Sequence, residues 1–357
     1  MTTDVRPEVD QEAVGEAMEK VMGDFAAAIG VTTVLLGISS GAWKAMAAAG
    51  PVTPSELADR MGTVEPYTRE WLAAQAAAGY VEYDANTGTF TLPGAVAAVL
   101  TDDATTALFS AFGEGMAVMG ADLARFRDRF ATGQGFGWHE RSPEHWEAMA
   151  GISDASVIPF LPAWLAAMDG GDALLAAGGK VADVGCGYGG MATALARLYP
   201  GATVYGFDYH DASIARSRST ATDAGVGDRV HAEVATAKDY PGTAYDLITF
   251  VDSLHDLGDP VGALVHAREA LSPEGSVLLI EPAAGDSLED NLTPVGRLWY
   301  SVSTTVCTPN GVAQEGHPLG TVAGEVKLRE TAAAAGFARV TRLDVEAPMN
   351  LLLQLRP

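Results

Sequence analysis

The sequence predicts a two-part protein: a mostly helical amino-terminal region with a winged-helix outline, followed by an α/β domain on a doubly wound, parallel sheet. Three observations predict it. From about residue 178 onward, short apolar runs of strand length alternate with helical segments. A glycine-rich turn joins the first of those strands to a helix. Before residue 100, alanine-rich helical spacing gives way to two capped helices and a hairpin pattern. A length of 357 residues fits two domains and a connector, here residues 1–100, 101–177 and 178–357.

In the first region, Thr53-Pro54-Ser55-Glu56 reads as a capping box with Pro at the first helical position, and Gly62 closes that helix. A second helix is expected over 66–78, with Gly79 just past its end. Tyr80–Tyr83 and Thr89–Leu92 flank Asn86-Thr87-Gly88 as a β-hairpin. The outline is that of a DNA reader, but its charge is not. Residues 1–100 hold 13 acidic and 5 basic residues, and the would-be recognition helix offers a phosphate only Arg69, beside Glu70. The apolar helices around Phe25–Leu36 and Trp43–Ala48 are instead expected to pack against a second copy, making a homodimer.

The whole chain is acidic, 22 basic against 46 acidic residues and a formal charge of −24. Such a surface repels phosphate backbones and anionic lipid, so neither nucleic acid nor membrane is expected as a partner. Apolar runs such as Val31–Ile38 are too short to span a bilayer, and no leader pattern opens the chain. Cys186 and Cys307 make neither a disulfide framework nor a metal site. A cytoplasmic protein is expected.

The middle region is helical, with aromatic and Met residues at core spacing; Gly133–His139 is too glycine-rich for a helix and reads as a loop that could cover a site. In the last region, strands are expected at 180–184, 203–208, 230–234, 246–251 and 276–281. Two further runs, 338–345 and 350–355, have no helix between them and imply one antiparallel strand.

The sharpest signal is Asp183-Val184-Gly185-Cys186-Gly187-Tyr188-Gly189-Gly190, at the exit of the first of these strands. Glycines there allow a tight turn and a close ligand, with the amides of the next helix facing it. Asp208 ends the second strand, placed to accept from both hydroxyls of a ribose. A nicotinamide dinucleotide and S-adenosylmethionine both suit a ribose-binding carboxylate after a glycine turn. Asp183 favours the second, because it would repel a pyrophosphate and attract a cationic sulfonium and ammonium.

On these motifs, residues 178–357 resemble a class I, Rossmann-like S-adenosylmethionine-dependent methyltransferase. The whole chain resembles bacterial small-molecule O-methyltransferases with an amino-terminal winged-helix dimerisation domain, a plan shared by plant caffeate-type enzymes. The resemblance implies S-adenosyl-L-methionine as cofactor, with S-adenosyl-L-homocysteine as product. It implies binding through Asp183, Gly185, Gly187, Gly189, Asp208 and Tyr209, with Thr236 and Ala237 near the adenine and Asp252 at the fourth strand's end. Thr236 stands where the family more often has Asp, and Asp239 reads as a solvated helix start.

His255 lies in the loop after the fourth strand, where ligands gather in such folds. An imidazole there suits proton acceptance near neutral pH. The resemblance matches Leu254-His255-Asp256 to the segment that supplies the base, and Glu281 to the carboxylate that orients it. No metal is expected, since Asp252 and Asp259 should point apart. The acceptor is expected to be a small molecule, with His139, His145 and His317 as candidate polar contacts and a pocket drawn from the middle region and 286–322; His210, close after Asp208, is a candidate neighbour of the adenosine, and His231 and His266 read as structural. Two rival functions fit the same motifs: methylation of a nucleic acid or protein, and non-catalytic cofactor sensing by a dimeric regulator.

Overall fold

The computed structural model describes residues 10–357. Two compact units form, divided between Gly113 and Glu114.

The first unit holds helices α1 (Gln11–Ser39), α2 (Ala42–Ala49), α3 (Pro54–Met61) and α4 (Glu65–Ala77). The hairpin β1 (Glu82–Asp84) and β2 (Thr89–Thr91) follows, then α5 (Gly94–Leu100) and the start of α6 (Asp103–Thr132). The capping box forms as expected: Thr53 Oγ1 accepts from Glu56 N, and Glu56 Oε2 accepts from Thr53 N. Gly62 takes the left-handed conformation that ends α3. Trp43, Leu57 and Leu72 are buried in the core, and Trp43 meets Trp71 edge-on at 4.8 Å. Both indoles donate back into α1, to Val34 O and Thr33 O.

α1 corrects the expectation that no segment is long enough to span a membrane. It runs 29 residues with an 18-residue window of mean hydropathy 1.8, enough by length and composition to cross one. The bent pairs α5–α6 and, in the second unit, Pro143–Val157 with Leu161–Ala167 pass only if each is taken as one span. Counting unbroken apolar runs missed α1 because Gly and Thr interrupt them without adding charge: no charged residue lies between Asp24 and Lys44. Met18, Met22, Phe25, Ile29 and Leu36 are exposed along it.

The second unit adds α7 (Pro143–Val157), α8 (Leu161–Ala167) and α9 (Gly171–Ala176). The alternation that follows is β3 (Lys180–Val184), α10 (Gly190–Leu198), β4 (Thr203–Asp208), α11 (Asp211–Asp223), β5 (Val230–Val234), β6 (Tyr245–Val251), α12 (Pro260–Ala270) and β7 (Leu271–Pro282). Then come α13 (Pro294–Val302), a π-helical turn (Ser303–Cys307), α14 (Thr308–Ala313), α15 (Gly324–Ala334), β8 (Arg339–Arg342) and β9 (Asn350–Arg356). The strand order is β5-β4-β3-β6-β7-β9-β8. β3 to β7 pair in parallel, and β9 runs antiparallel between β7 and β8. Side chains alternate between two cores: Val181, Leu247 and Leu278 face α8 and α10, while Ala182, Ile248 and Leu279 face α12 and α15. The order reverses between β3 and β6, and a crevice opens there beyond the strands' carboxyl ends.

The loop 133–139 is tied down rather than loose. Phe136 is buried, its N–H donates to Pro309 O, and Trp138 N–H donates to Asn310 Oδ1.

Candidate functional site

The glycine turn leaves β3 with Gly185 and Cys186 N–H both donating to Phe207 O on the neighbouring strand. Gly185 has φ 75°, and a Cβ there would come within 2.8 Å of Ser253 Cβ. Gly187 has φ 50° and faces open space, while a Cβ on Gly189 would overlap the Ser217 hydroxyl. The turn delivers the chain to Gly190, where the first amides of α10 lack intrahelical partners.

A cavity of about 1190 Å³ opens on this turn. Its wall includes Gly185, Gly187, Asp208 and Tyr209, then Thr236, Ala237 and Asp252. Asp208 Oδ2 accepts from Gly187 N–H at 3.0 Å and Oδ1 from His210 N–H at 2.9 Å, which fixes the carboxylate and leaves its remaining lone pairs for a ligand. Burial nonetheless holds its pKa above the usual carboxylate range. Thr236 N–H and Oγ1–H both donate to Asp239 Oδ1. Asp239 therefore closes a turn, and no helix starts there.

Two of the sequence-predicted cofactor residues, Asp183 and Gly189, lie outside that wall. Asp183 is 1% exposed; Oδ1 accepts from Thr249 Oγ1–H at 2.7 Å, and the backbone N–H of Ala192 in the first turn of α10 also favours the carboxylate. Burial pushes its carboxyl up to about 7. Asp252 has φ 45°, and its side chain is gripped by Ser153 Oγ at 3.2 Å and Asn350 Nδ2 at 3.0 Å. Burial pushes it, too, up to about 7, with the Glu281 charge adding to the effect. Asp259 caps α12 and pairs with Lys238. Asp252 and Asp259 thus have separate partners.

His255 and Glu281, 26 residues apart in sequence, meet where β6 and β7 end. His255 Nδ1 lies 2.6 Å from Glu281 Oε2, and Glu281 Oε1 accepts from Leu254 N–H at 2.9 Å. Both side chains are buried. Burial opposes the imidazolium, but the Glu281 carboxylate and the Cys307 side chain outweigh it and hold the His255 pKa well above the ordinary imidazole value. The next residue, Asp256, lines the cavity and accepts from Asn310 Nδ2 at 3.1 Å. Burial pushes its carboxyl up to about 7.

Sequence reasoning missed several residues that complete this arrangement. Cys307 ends a π-helical turn, a feature common at functional sites, and acts directly on His255. Asn310 ties Asp256 to the backbone of Trp138, and Trp138 lines the cavity. Of the other histidines, His317 lines the cavity and His210 caps α11. His145 is buried without a hydrogen-bond partner, pushed down to about 4 by burial and by Arg141. His266 Nε2 lies 2.9 Å from Tyr240 O, as a structural residue should.

The residues present fit S-adenosylmethionine. The open face of Gly187 gives room at the turn, and Asp208, on the cavity wall, suits a ribose. Comparison with known proteins agrees. Residues 175–325 match the family described as "Methyltransferase domain", and residues 27–102 match the "Rv2258c-like winged HTH domain". The 27-O-demethylrifamycin SV methyltransferase of Amycolatopsis mediterranei is 32% identical over 131 residues, 34% of this chain and 48% of that protein. The chain spans a fifth to about half the length of the first curated relatives it matches. The structure of the mitomycin 7-O-methyltransferase MmcR superposes with a TM-score of 0.64 at 17% identity, covering 98% of this chain and 100% of the other. That of NcsB1, an O-methyltransferase from neocarzinostatin biosynthesis in complex with S-adenosyl-L-homocysteine and 1,4-dihydroxy-2-naphthoic acid, gives 0.60 at 19% identity, over 98% and 99%. Residues 27–102 are therefore similar to an Rv2258c-like winged helix-turn-helix domain, and residues 175–325 to a methyltransferase domain.

Proposed function

We propose that the protein transfers a methyl group from S-adenosylmethionine to a hydroxyl of a small molecule, with His255 as general base and Glu281 as the group that orients it. The observation that carries this is the 2.6 Å contact between the two side chains at the strand ends beside the cavity. When bound, S-adenosylmethionine supplies a methyl group on a sulfonium, open to in-line displacement by oxygen. Asp208 and the glycine turn would hold the adenosine end. Glu281 holds Nδ1, so in this reading Nε2 takes the acceptor's proton with the Cys307 side chain as its neighbour, and the carboxylate stabilises the imidazolium that results. Holding both partners in line contributes about 7–11 kcal/mol to lowering the barrier. A general base adds about 10²–10⁴-fold, so positioning is the larger effect.

A phenolic acceptor is the substrate class we favour. The aromatic Trp138 lines the cavity, and the ligand of NcsB1 is a dihydroxynaphthoic acid. A nucleic-acid acceptor is disfavoured because Arg69 on α4 is already paired with Glu65 and Glu70. The same acidic surface favours a second copy of the chain over an anionic bilayer as the cover for α1. Its exposed Met18, Met22, Phe25 and Ile29 recur at the spacing of a helix–helix seam.

Calorimetry with S-adenosylhomocysteine, followed by an assay of its release from S-adenosylmethionine in the presence of a panel of phenols, tests the reading. Uptake of the cofactor with no turnover on any hydroxyl compound would favour the non-catalytic sensor. Sedimentation of the protein and a Phe25→Asp variant tests the dimer: the variant should sediment as a monomer.

A further inference from the structure

We infer that Asn310, on α14, is a positioning residue for methyl transfer: its side-chain amide is oriented by the backbone of residues 133–140 and in turn fixes the loop that carries His255 and Asp256. Its part in catalysis rests on the function proposed above; the coupling of the two segments does not. An asparagine amide offers an oxygen on one side and an NH2 of nearly the same shape on the other, so its partners decide which way it points. Asn310 is 4% exposed. Its Oδ1 accepts from Trp138 N–H at 2.9 Å, while Nδ2 donates to Asp256 Oδ2 at 3.1 Å and to Asp256 O at 3.4 Å. Turned over, the amide would set its NH2 against the Trp138 N–H and its oxygen against the Asp256 carboxylate, donor facing donor and acceptor facing acceptor. One backbone N–H of the 133–140 segment thus holds a donor on the residue next to the base.

Residues 133–140 are built to hold that N–H still. Two guanidinium groups lie over the buried Phe136 ring, Arg141 Cζ at 3.9 Å and Arg125 Cζ at 4.6 Å from its centre. Glu140 accepts from Gly137 N–H at 2.9 Å and pairs with Arg129 at 2.6 Å. Gly135 lies so close to α14 that a Cβ there would overlap the Ala313 backbone. The chain from α14 onward also grips the loop of His255. Gly258 N–H donates to Gln314 Oε1 at 3.1 Å, His317 N–H to Gly258 O at 2.9 Å, and Gly320 N–H to His255 O at 2.9 Å. Asn310 stands between the two segments and bonds to both. Its bond to Asp256 favours the carboxylate and so opposes the effect of burial there.

The test is hydrogen–deuterium exchange on the full chain, read in peptides covering 254–258, with two replacements at position 138. Trp138→Ala and Trp138→Pro both lose the indole, but only the proline loses the N–H. Trp138 opens a 3-10 turn, a position that accepts proline. Trp138→Pro should speed exchange at 254–258 about fivefold over Trp138→Ala, the scale of one net hydrogen bond, and Asn310→Ala should do the same. In an Asn310→Ala background the two replacements should no longer differ, because the amide that joins the segments is gone. The Trp138 N–H also lies near the Tyr209 phenol oxygen. A difference that persists in that background would run through Tyr209 and overturn the inference, as would equal exchange in the original pair. Should the proline variant not fold, Asn310→Ala alone decides: exchange must rise in both 133–140 and 254–258, and a rise in only one overturns the coupling. With a phenol that the unaltered protein methylates, Asn310→Ala should lose about tenfold in kcat while KM and S-adenosylhomocysteine affinity stay within about twofold. A loss confined to KM, or none, overturns its part in catalysis. If the unaltered protein methylates no phenol, the function proposed above fails, and the exchange result still decides the coupling.

Discussion

Replacing Glu281 with Gln should separate the buried pair's structural and electrostatic contributions. The carboxylate serves two buried donors, Leu254 N–H at 2.9 Å and His255 Nδ1 at 2.6 Å. An amide has one acceptor oxygen, so one donor is left unmet, at a cost of roughly 1–3 kcal/mol. The imidazole also loses its counter-charge, and burial then drives it neutral; each pKa unit lost is worth about 1.4 kcal/mol. Together these place the loss near the about 3–5 kcal/mol seen when one partner of a buried pair is removed. The folded pKa of His255 is raised, so its stabilisation is fully present below the ordinary imidazole value and fades as pH rises through the folded value. Urea unfolding should therefore show the widest gap between the two proteins near pH 6 and a narrower one in alkali. A gap under about 1 kcal/mol at pH 6, or one independent of pH, would refute the reasoning.

Three further outcomes are expected. His255→Ala should bind S-adenosylhomocysteine normally, yet lose about 10²–10⁴-fold in transfer to a hydroxyl; in the unaltered enzyme that transfer should speed up as pH rises and the imidazolium gives up its proton. Gly185→Ala forces a side chain into φ 75° and against Ser253, so it should cost roughly 1–3 kcal/mol of stability and abolish the calorimetric signal for the cofactor product. The ligand-free protein should melt at a higher temperature at pH 5.5 than at pH 8. Burial pushes the Asp183 and Asp154 carboxyls up to about 7 and about 6, above their unfolded values, so their cost grows as pH climbs and is complete above those folded values. A scan by differential calorimetry with the slope reversed would contradict this.

Much of the fold and about half of the site was legible in the chain itself. The capping box at Thr53, the stop at Gly62 and the turn Gly185–Gly189 depend on residues within a few positions of each other. Asp208 was legible because a strand of known length must end near it. The loop of His255 follows from the same arithmetic of alternating strands and helices. The length of α1 was misjudged because scattered Gly and Thr break apolar runs without breaking a helix.

Local sequence determined the backbone: where glycine must take positive φ, where a helix begins, which strand faces which core. Only the tertiary structure decided which distant groups share a cavity. Glu281 reaches His255 because β6 and β7 end side by side with Val251 paired to Ile280, Cys307 arrives on a π-helical turn, and Asp154 meets Gly190 because α7 lies across α10. A side chain's charge state depends on what surrounds it in space and on how far water is excluded. Neither is carried by the order of residues along the chain.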